Sequence, residues 1–373
     1  MKKILVILGT RPEAIKLAPV ILELKKHPEK YQVVVCNTEQ QKELSNQTLG
    51  FFGIKADINL DIMKPNQTLP ELQSRLLVAL DNVFKTEQPN ASIVQGDTMT
   101  VFCGAQASFY NKVPVYHVEA GLRSYDMFEP FPEEAMRQMT ARITDIHFAP
   151  TQAAKEALLK ENIQNEKIFL TGNTVIDALN CLSKSTLKNA EQFLTEKGIL
   201  LNDKIVLCTV HRRENHGFRL DTILECILEL SQKFSDHQFI LPVHPNPNVK
   251  EKVFLTLSKQ KNIILTEPLD YPVLVSLMKH AKLVLTDSGG IQEEAPSFGV
   301  PVLVMRYETE RMEGVQAGFS KLVGADKEKI ITEAVLILSK EKSETRLDGT
   351  KNPYGDGKAT DTIKEVIDEY VKQ

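Results

Sequence analysis

Carboxylates, histidines and cationic side chains stand in short polar segments of this 373-residue chain, each segment directly after an apolar run. In Gln95-Gly96-Asp97-Thr98 the carboxylate serves either as a helix N-cap, a role Asp favours, or as an acid–base group. In His117-Val118-Glu119-Ala120-Gly121-Leu122-Arg123, alternation directs His117 and Glu119 to the same side for as long as the strand continues. Pro132-Glu133-Glu134 opens a helix in which two first-turn glutamates complement the macrodipole. That role suffices for Glu134. For Glu133, the Pro-rich aromatic loop Phe128–Phe131 just ahead offers a second role, a lid that faces the carboxylate into a cleft. Carboxylates that converge raise one another's pKa values and can divide general-acid from general-base work.

A second set of segments suits anions. Gly9-Thr10-Arg11-Pro12-Glu13-Ala14-Ile15-Lys16 places Arg11 at a helix start, where backbone N–H groups already favour negative charge, with Lys16 near the same end. It is neither GxGxxG nor a Walker A loop. Cys208-Thr209-Val210-His211-Arg212-Arg213-Glu214 runs from a strand into a His-Arg-Arg turn fit for a phosphate. Pro242-Val243-His244-Pro245-Asn246-Pro247 is a stiffened loop in which His244 either packs or contributes to a site. Thr286-Asp287-Ser288-Gly289-Gly290-Ile291-Gln292-Glu293-Glu294 carries the clearest signal. Ser-Gly-Gly lets backbone approach a pyrophosphate, and Glu294, one turn into the helix, can reach ribose hydroxyls. The bland alternative is a tight turn capped by Ser288.

Positioning such segments needs strands that end together. Apolar runs at Lys3–Leu8, Gln32–Cys36, Ala91–Val94, Pro114–Val118 and Asp145–Phe148 alternate with helical patterns such as Glu13–Lys25, Leu69–Phe84 and Gln152–Lys160. The pattern restarts at Lys204–Val210, Gln238–Pro242, Asn262–Leu265, Leu283–Thr286 and Val300–Met305, with helices such as Leu220–Lys233 and Pro272–His280. A mostly helical, polar region, 168–204, joins the halves, and Ala359–Tyr370 reads as a final helix. Runs of this kind predict an α/β chain with parallel sheets covered on both faces, as two facing Rossmann-like domains with a ligand cleft between them.

Composition narrows the classes further. Length fits two domains at roughly 150 residues each. Lys plus Arg is 45 and Asp plus Glu is 49, a net charge of −4, which argues against a dedicated nucleic-acid binder. No apolar stretch approaches the roughly 18 residues that span a bilayer, and the five-residue run after Lys2-Lys3 reads as a first strand rather than a signal peptide. The expectation is a cytoplasmic protein without membrane partners. Cys36, Cys103, Cys181, Cys208 and Cys226 form no CxxC and are odd in number, so neither a disulfide framework nor a zinc site is expected.

Taken in order, Gly-Thr-Arg-Pro-Glu-Ala-Ile-Lys, Gln-Gly-Asp-Thr, His-Val-Glu-Ala-Gly-Leu-Arg, Pro-Glu-Glu, His-Arg-Arg-Glu, Asp-Ser-Gly-Gly-Ile-Gln-Glu-Glu and Asn-Pro-Tyr-Gly-Asp-Gly resemble the bacterial non-hydrolysing UDP-N-acetylglucosamine 2-epimerases from Gly9 to Gly357. The resemblance implies a GT-B arrangement, with 1–169 and the helix 358–373 in a first domain and 170–357 in a second, UDP-binding one. It implies interconversion of UDP-GlcNAc and UDP-ManNAc without metal or nicotinamide cofactor, supplying ManNAc units for surface polysaccharide such as capsule. It further implies a homodimer, and activation by UDP-GlcNAc at a second site involving Gln40, Gln41 and His244. Asp97, Glu119 and Glu133 would be the catalytic carboxylates, and His211 would act near the leaving phosphate. Arg11 and Lys16 would contact diphosphate and sugar; Ser288, Gly289 and Gly290 would bind phosphate; Glu294 would hold the ribose. Gln95 and Gln41 depart from the family pattern, standing where relatives often carry His. A hydrolysing relative, a glycosyltransferase and a non-catalytic UDP-sugar sensor are the alternatives; the Glu119–Arg123 and Pro132–Glu134 patterns resemble the non-hydrolysing branch, and the three carboxylates argue against the other two.

Overall fold

The structure is a computed structural model that describes residues 1–244 and 246–371. Two compact units divide the chain, Met1–Cys181 with Tyr354–Gln373, and Leu182–Pro353. The seams fall at 181/182 and 353/354, against 169/170 and 357/358 from the sequence. The helix Thr174–Cys181 packs on the helix Arg11–Lys25, which is why it stays with the first unit.

The first unit holds seven strands: β1 (Lys2–Leu8), β2 (Tyr31–Asn37), β3 (Ile58–Asn59), β4 (Ala91–Gln95), β5 (Val115–Val118), β6 (Ile146–Ala149) and β7 (Ile168–Leu170). All pair in parallel, in the order β3-β2-β1-β4-β5-β6-β7. The second unit holds β8 (Ile205–Thr209), β9 (Gln238–Pro242), β10 (Ile263–Thr266), β11 (Ala281–Thr286), β12 (Val302–Val304) and β13 (Ser320–Leu322), also parallel, in the order β10-β9-β8-β11-β12-β13. In each sheet the strand order reverses, between β1 and β4 and between β8 and β11, leaving a crevice at the C-terminal strand ends where ligands of doubly wound folds bind.

All ten apolar runs read as strands form within two residues of their expected bounds. The three strands that the pattern misses, β3, β7 and β13, are two or three residues long and lie at sheet edges. One of them, β7, opens the region 168–204, which is otherwise mostly helical as read, with helices Thr174–Cys181 and Lys184–Glu196. Central strands are apolar on both faces because helices cover both: Ile4–Leu8 of β1 are wholly buried. The helix Leu69–Glu87 shows how a cover is specified. Thr68 and Glu71 form its capping box, and Leu72, Leu76, Leu80 and Phe84, four apart, bury one stripe against Leu5, Ile7, Val34 and Val94.

Near its end the chain returns to the first unit as the helix Ala359–Tyr370. Residues 372 and 373 of the expected range 358–373 lie outside the described residues. Asp177 accepts the N–H groups of Ala359 and Thr360 at 3.3 and 2.9 Å, satisfying donors at the helix start. At the other end Asp368 takes the Tyr31 hydroxyl and Lys364. Among the described residues no helix is long and apolar enough to cross a membrane. Four of the five cysteines are buried, and burial pushes the thiols of Cys36, Cys103 and Cys226 up to about 12.

Gly121 takes φ +94° just after β5, and a Cβ there would lie 2.3 Å from the carbonyl oxygen of Ala154, at the start of the helix Gln152–Lys160. Backbone cannot yield as a side chain can, and the left-handed region adds strain. Gly121→Ala is therefore expected to destabilise the first unit by more than about 2 kcal/mol, measured by urea unfolding, and an unchanged midpoint would rule this packing out.

Candidate active site

At the first reversal of strand order, the turn after β1 carries Gly9, Thr10 and Arg11, and the turn after β4 carries Gly96, Asp97 and Thr98. β5 lies beside β4 and ends at Val118, so Glu119 leaves the strand rather than continuing its alternation. Its backbone adopts φ +64°, unusual for a residue with a side chain and tolerated where contacts over-determine it. Those contacts are specific. Lys16 Nζ lies 2.6 Å from Glu119 Oε1, both side chains being buried, and the Gln95 amide donates to Oε2. His117 points elsewhere: its Nε2 donates to the Gly96 carbonyl at 2.7 Å, and burial pushes the imidazole down to about 4, so it is neutral.

Asp97 is not the helix cap. Thr98 is, its hydroxyl accepting the Val101 N–H, which leaves the Asp97 carboxylate to Arg137 at 2.7 Å. Glu133 starts the helix that carries Arg137 one turn later, on the same face. Glu134 does more than complement a dipole. It is wholly buried and accepts from the N–H groups of Ser124 and Tyr125, from Arg137 and from Gln138, fastening the loop ahead of Glu133. Gln41 accepts the Arg11 N–H at 3.0 Å, and Gln40 accepts the hydroxyl of Thr100 at 2.8 Å, so the 40–41 segment rests on both turns.

At the second reversal, Asp287 follows β11 and is wholly buried. Its carboxylate accepts the N–H groups of His211 and Arg212 and the Asn215 amide, all near 3 Å, and lies 3.0 Å from His211 Nδ1. Burial opposes the charge, but His211 and these donors outweigh it and hold the carboxyl below its usual value. Nδ1 being engaged, Nε2 is the nitrogen left to face a ligand. The His211 ring stacks on His244 with centroids 6.2 Å apart; His244 is exposed, and Asn246 N–H donates to its Nδ1.

Ser288 stands at the start of the helix Gly289–Glu294 without a side-chain cap bond, so capping is not its role. A Cβ at Gly289 would strike the Arg311 guanidinium at 2.6 Å, and one at Gly290 would sit 3.4 Å from Glu294 Oε1. Both glycines thus admit close neighbours, and the Glu294 carboxylate folds back over the turn. Glu13, Gln95, Arg137, Asp287 and Arg311 are the contributors that sequence reasoning missed. Only Glu13 had a local signal, the Thr10-x-x-Glu13 capping box.

Glu13 is 1% exposed, and burial pushes its carboxyl from 4.5 up to about 7 against its three hydrogen bonds, with the Asp97 charge adding to the rise. A carboxyl raised on folding binds more protons native than unfolded between those values. Its stabilisation is full below 4.5 and is lost as pH climbs through about 7. Glu13→Gln keeps the shape without the titration. The stability of the variant relative to the parent should therefore rise by up to about 3 kcal/mol between pH 4.5 and pH 8, read from urea midpoints; a pH-independent difference would refute the shift.

Comparison with known proteins gives the family of the chain. The UDP-N-acetylglucosamine 2-epimerase family model matches residues 22–368. The UDP-N-acetylglucosamine 2-epimerase of Bacillus subtilis is 46% identical over 365 residues, covering 98% of this chain and 94% of that one. Its counterpart from Neisseria meningitidis serogroup A is 45% identical over 368 residues, covering 98% and 99%. The crystal structure of the Neisseria meningitidis enzyme bound to UDP-GlcNAc superposes with a TM-score of 0.92 at 44% identity, covering 98% of this chain and 100% of that one. The chain belongs to the UDP-N-acetylglucosamine 2-epimerase family.

Proposed function

We propose that this protein interconverts UDP-GlcNAc and UDP-ManNAc by inverting C2 of the sugar through elimination and re-addition of UDP. The observation that carries the reading is Glu119, a buried carboxylate set in a left-handed conformation between Lys16 and Gln95, with Asp97 held by Arg137 on the neighbouring turn.

The C2 hydrogen has no adjacent carbonyl to acidify it. It becomes removable as the bond from C1 to the β-phosphate oxygen breaks with its electron pair going to UDP. A carboxylate takes the proton, and the C2–H pair becomes the C1=C2 bond of 2-acetamidoglucal. Protonation of C2 on the opposite face and return of the UDP oxygen to C1 give the epimer, with no atom gained or lost. Asp97, Glu119 and Glu133 are the proposed proton carriers. Arg11 and Lys16 contact diphosphate and sugar, while His211, Ser288, Gly289 and Gly290 stabilise the departing UDP. Asp287 supports that role by fixing the imidazole, and the Arg311 guanidinium, ion-paired with Glu293 and Glu310, packs against Gly289. Glu294 takes the ribose.

The same reading extends to a homodimer in the cytoplasm that supplies ManNAc units for a bacterial surface polysaccharide. A second UDP-GlcNAc near Gln40, Gln41 and His244 would activate it. The bond from the Arg11 N–H to Gln41 supports a route from that second site to the first.

Proton NMR of the protein with UDP-GlcNAc in D2O is the direct test. A UDP-ManNAc anomeric signal with deuterium at C2 is expected. Free ManNAc with UDP would indicate hydrolysis, and an unchanged spectrum despite binding would leave a sensor or a glycosyltransferase. Glu119→Gln should keep UDP binding within a few-fold while turnover falls about 10²- to 10⁴-fold. Wild-type turnover in this variant would remove Glu119 from the reaction.

A further inference from the structure

The two turns at the first reversal of strand order come from segments 85 residues apart, yet a single carboxyl joins them. Glu13 Oε2 accepts the N–H groups of Gly9 and Thr10 at 2.6 and 2.9 Å, closing the turn that carries Arg11. Its Oε1 takes the hydroxyl of Thr98, which caps the following helix through the Val101 N–H and directly follows Asp97. The side chain is 1% exposed, so no water competes for these positions. A group needed only to start its own helix would be satisfied by the first two bonds. The third reaches out of the helix to the other turn.

We infer that Glu13 is a positioning residue whose carboxyl clamps the Arg11 turn to the Asp97 turn, so that the anion-binding group and the proton carrier keep a fixed separation. The inference rests on the epimerase reading for the roles of Arg11 and Asp97. Protonation does not open the clamp. A carboxyl proton on Oε1 would donate to Thr98 Oγ while Oε2 still accepts both N–H groups, the hydroxyl simply reversing its direction. An amide in the same place can make the same set of bonds, accepting through its oxygen and donating through its nitrogen. An alanine can make none of them.

The test compares the full-length parent, Glu13→Gln and Glu13→Ala by amide hydrogen–deuterium exchange, UDP binding and turnover of UDP-GlcNAc. In Glu13→Ala, exchange from Gly96 to Val101 should rise about tenfold together with that of the Arg11 turn, since a buried hydrogen bond worth about 1.4 kcal/mol is lost. Its kcat should fall about 10²-fold through misplacement, while UDP affinity changes less than about threefold. Glu13→Gln should restore both exchange and kcat. Should Glu13→Ala fail to fold, Thr98→Ala severs the bridge together with the Val101 cap, and loss of the cap loosens only its own helix start. Faster exchange must then appear across the gap, in the Arg11 turn, with the same loss of kcat. Loosening confined to the mutated turn overturns the clamp, as does parental kcat in the alanine variants when the parent is active. Coupled loosening in the variants of a parent that leaves UDP-GlcNAc unchanged supports the clamp and sinks only the epimerase reading.

Discussion

A lysine and a glutamate taken out of water together set the terms for the first unit. Lys16 and Glu119 are both buried and 2.6 Å apart, and neither charge is tolerable there without the other. Removing one partner of such a pair costs about 3–5 kcal/mol, because a charge is left stranded. The pair therefore dictates where the helix Arg11–Lys25 lies against the end of β5, and hence where the Arg11 turn sits. The left-handed backbone of Glu119 and the buried Glu13 belong to the same setting, charged groups packed where a doubly wound sheet normally packs apolar ones.

The second unit meets the same difficulty with a different device. Asp287 is as deeply buried as Glu13, but its donors include the His211 imidazole, whereas Glu13 has three neutral donors and the Asp97 charge nearby. One carboxyl is driven toward its neutral form and the other is held ionised. Their positions differ too: Glu13 lies in the helix after β1, whereas Asp287 directly follows β11, the counterpart of β4 in the second sheet.

Much of this was legible in the sequence because the signals are local. Apolar runs alternating with amphipathic stretches require parallel sheets, and Ser288-Gly289-Gly290 announces a close backbone approach whatever its surroundings. The edge strands β3, β7 and β13 escaped because two or three residues carry no period. The choice between cap and acid–base group for Asp97 was undecidable, since Thr98 is an equally good cap and the decisive partner, Arg137, lies 40 positions away. For Glu134 the macrodipole sufficed as an explanation, because nothing nearby reveals that four donors enclose it. Asp287 was passed over for the glycines beside it, since its role depends on a strand end 76 residues earlier.

The shortness of the outermost strands has a bearing on how copies of this chain meet. β3, β7, β10 and β13 border the two sheets with only two to four residues each, so each offers few unpaired backbone N–H and C=O groups. A second chain adding a strand there would gain little, which guards parallel sheets of this size against edge-to-edge aggregation. Any pairing of subunits would then rest on side chains rather than on added strands, and substitution could tune or abolish it without disturbing either sheet.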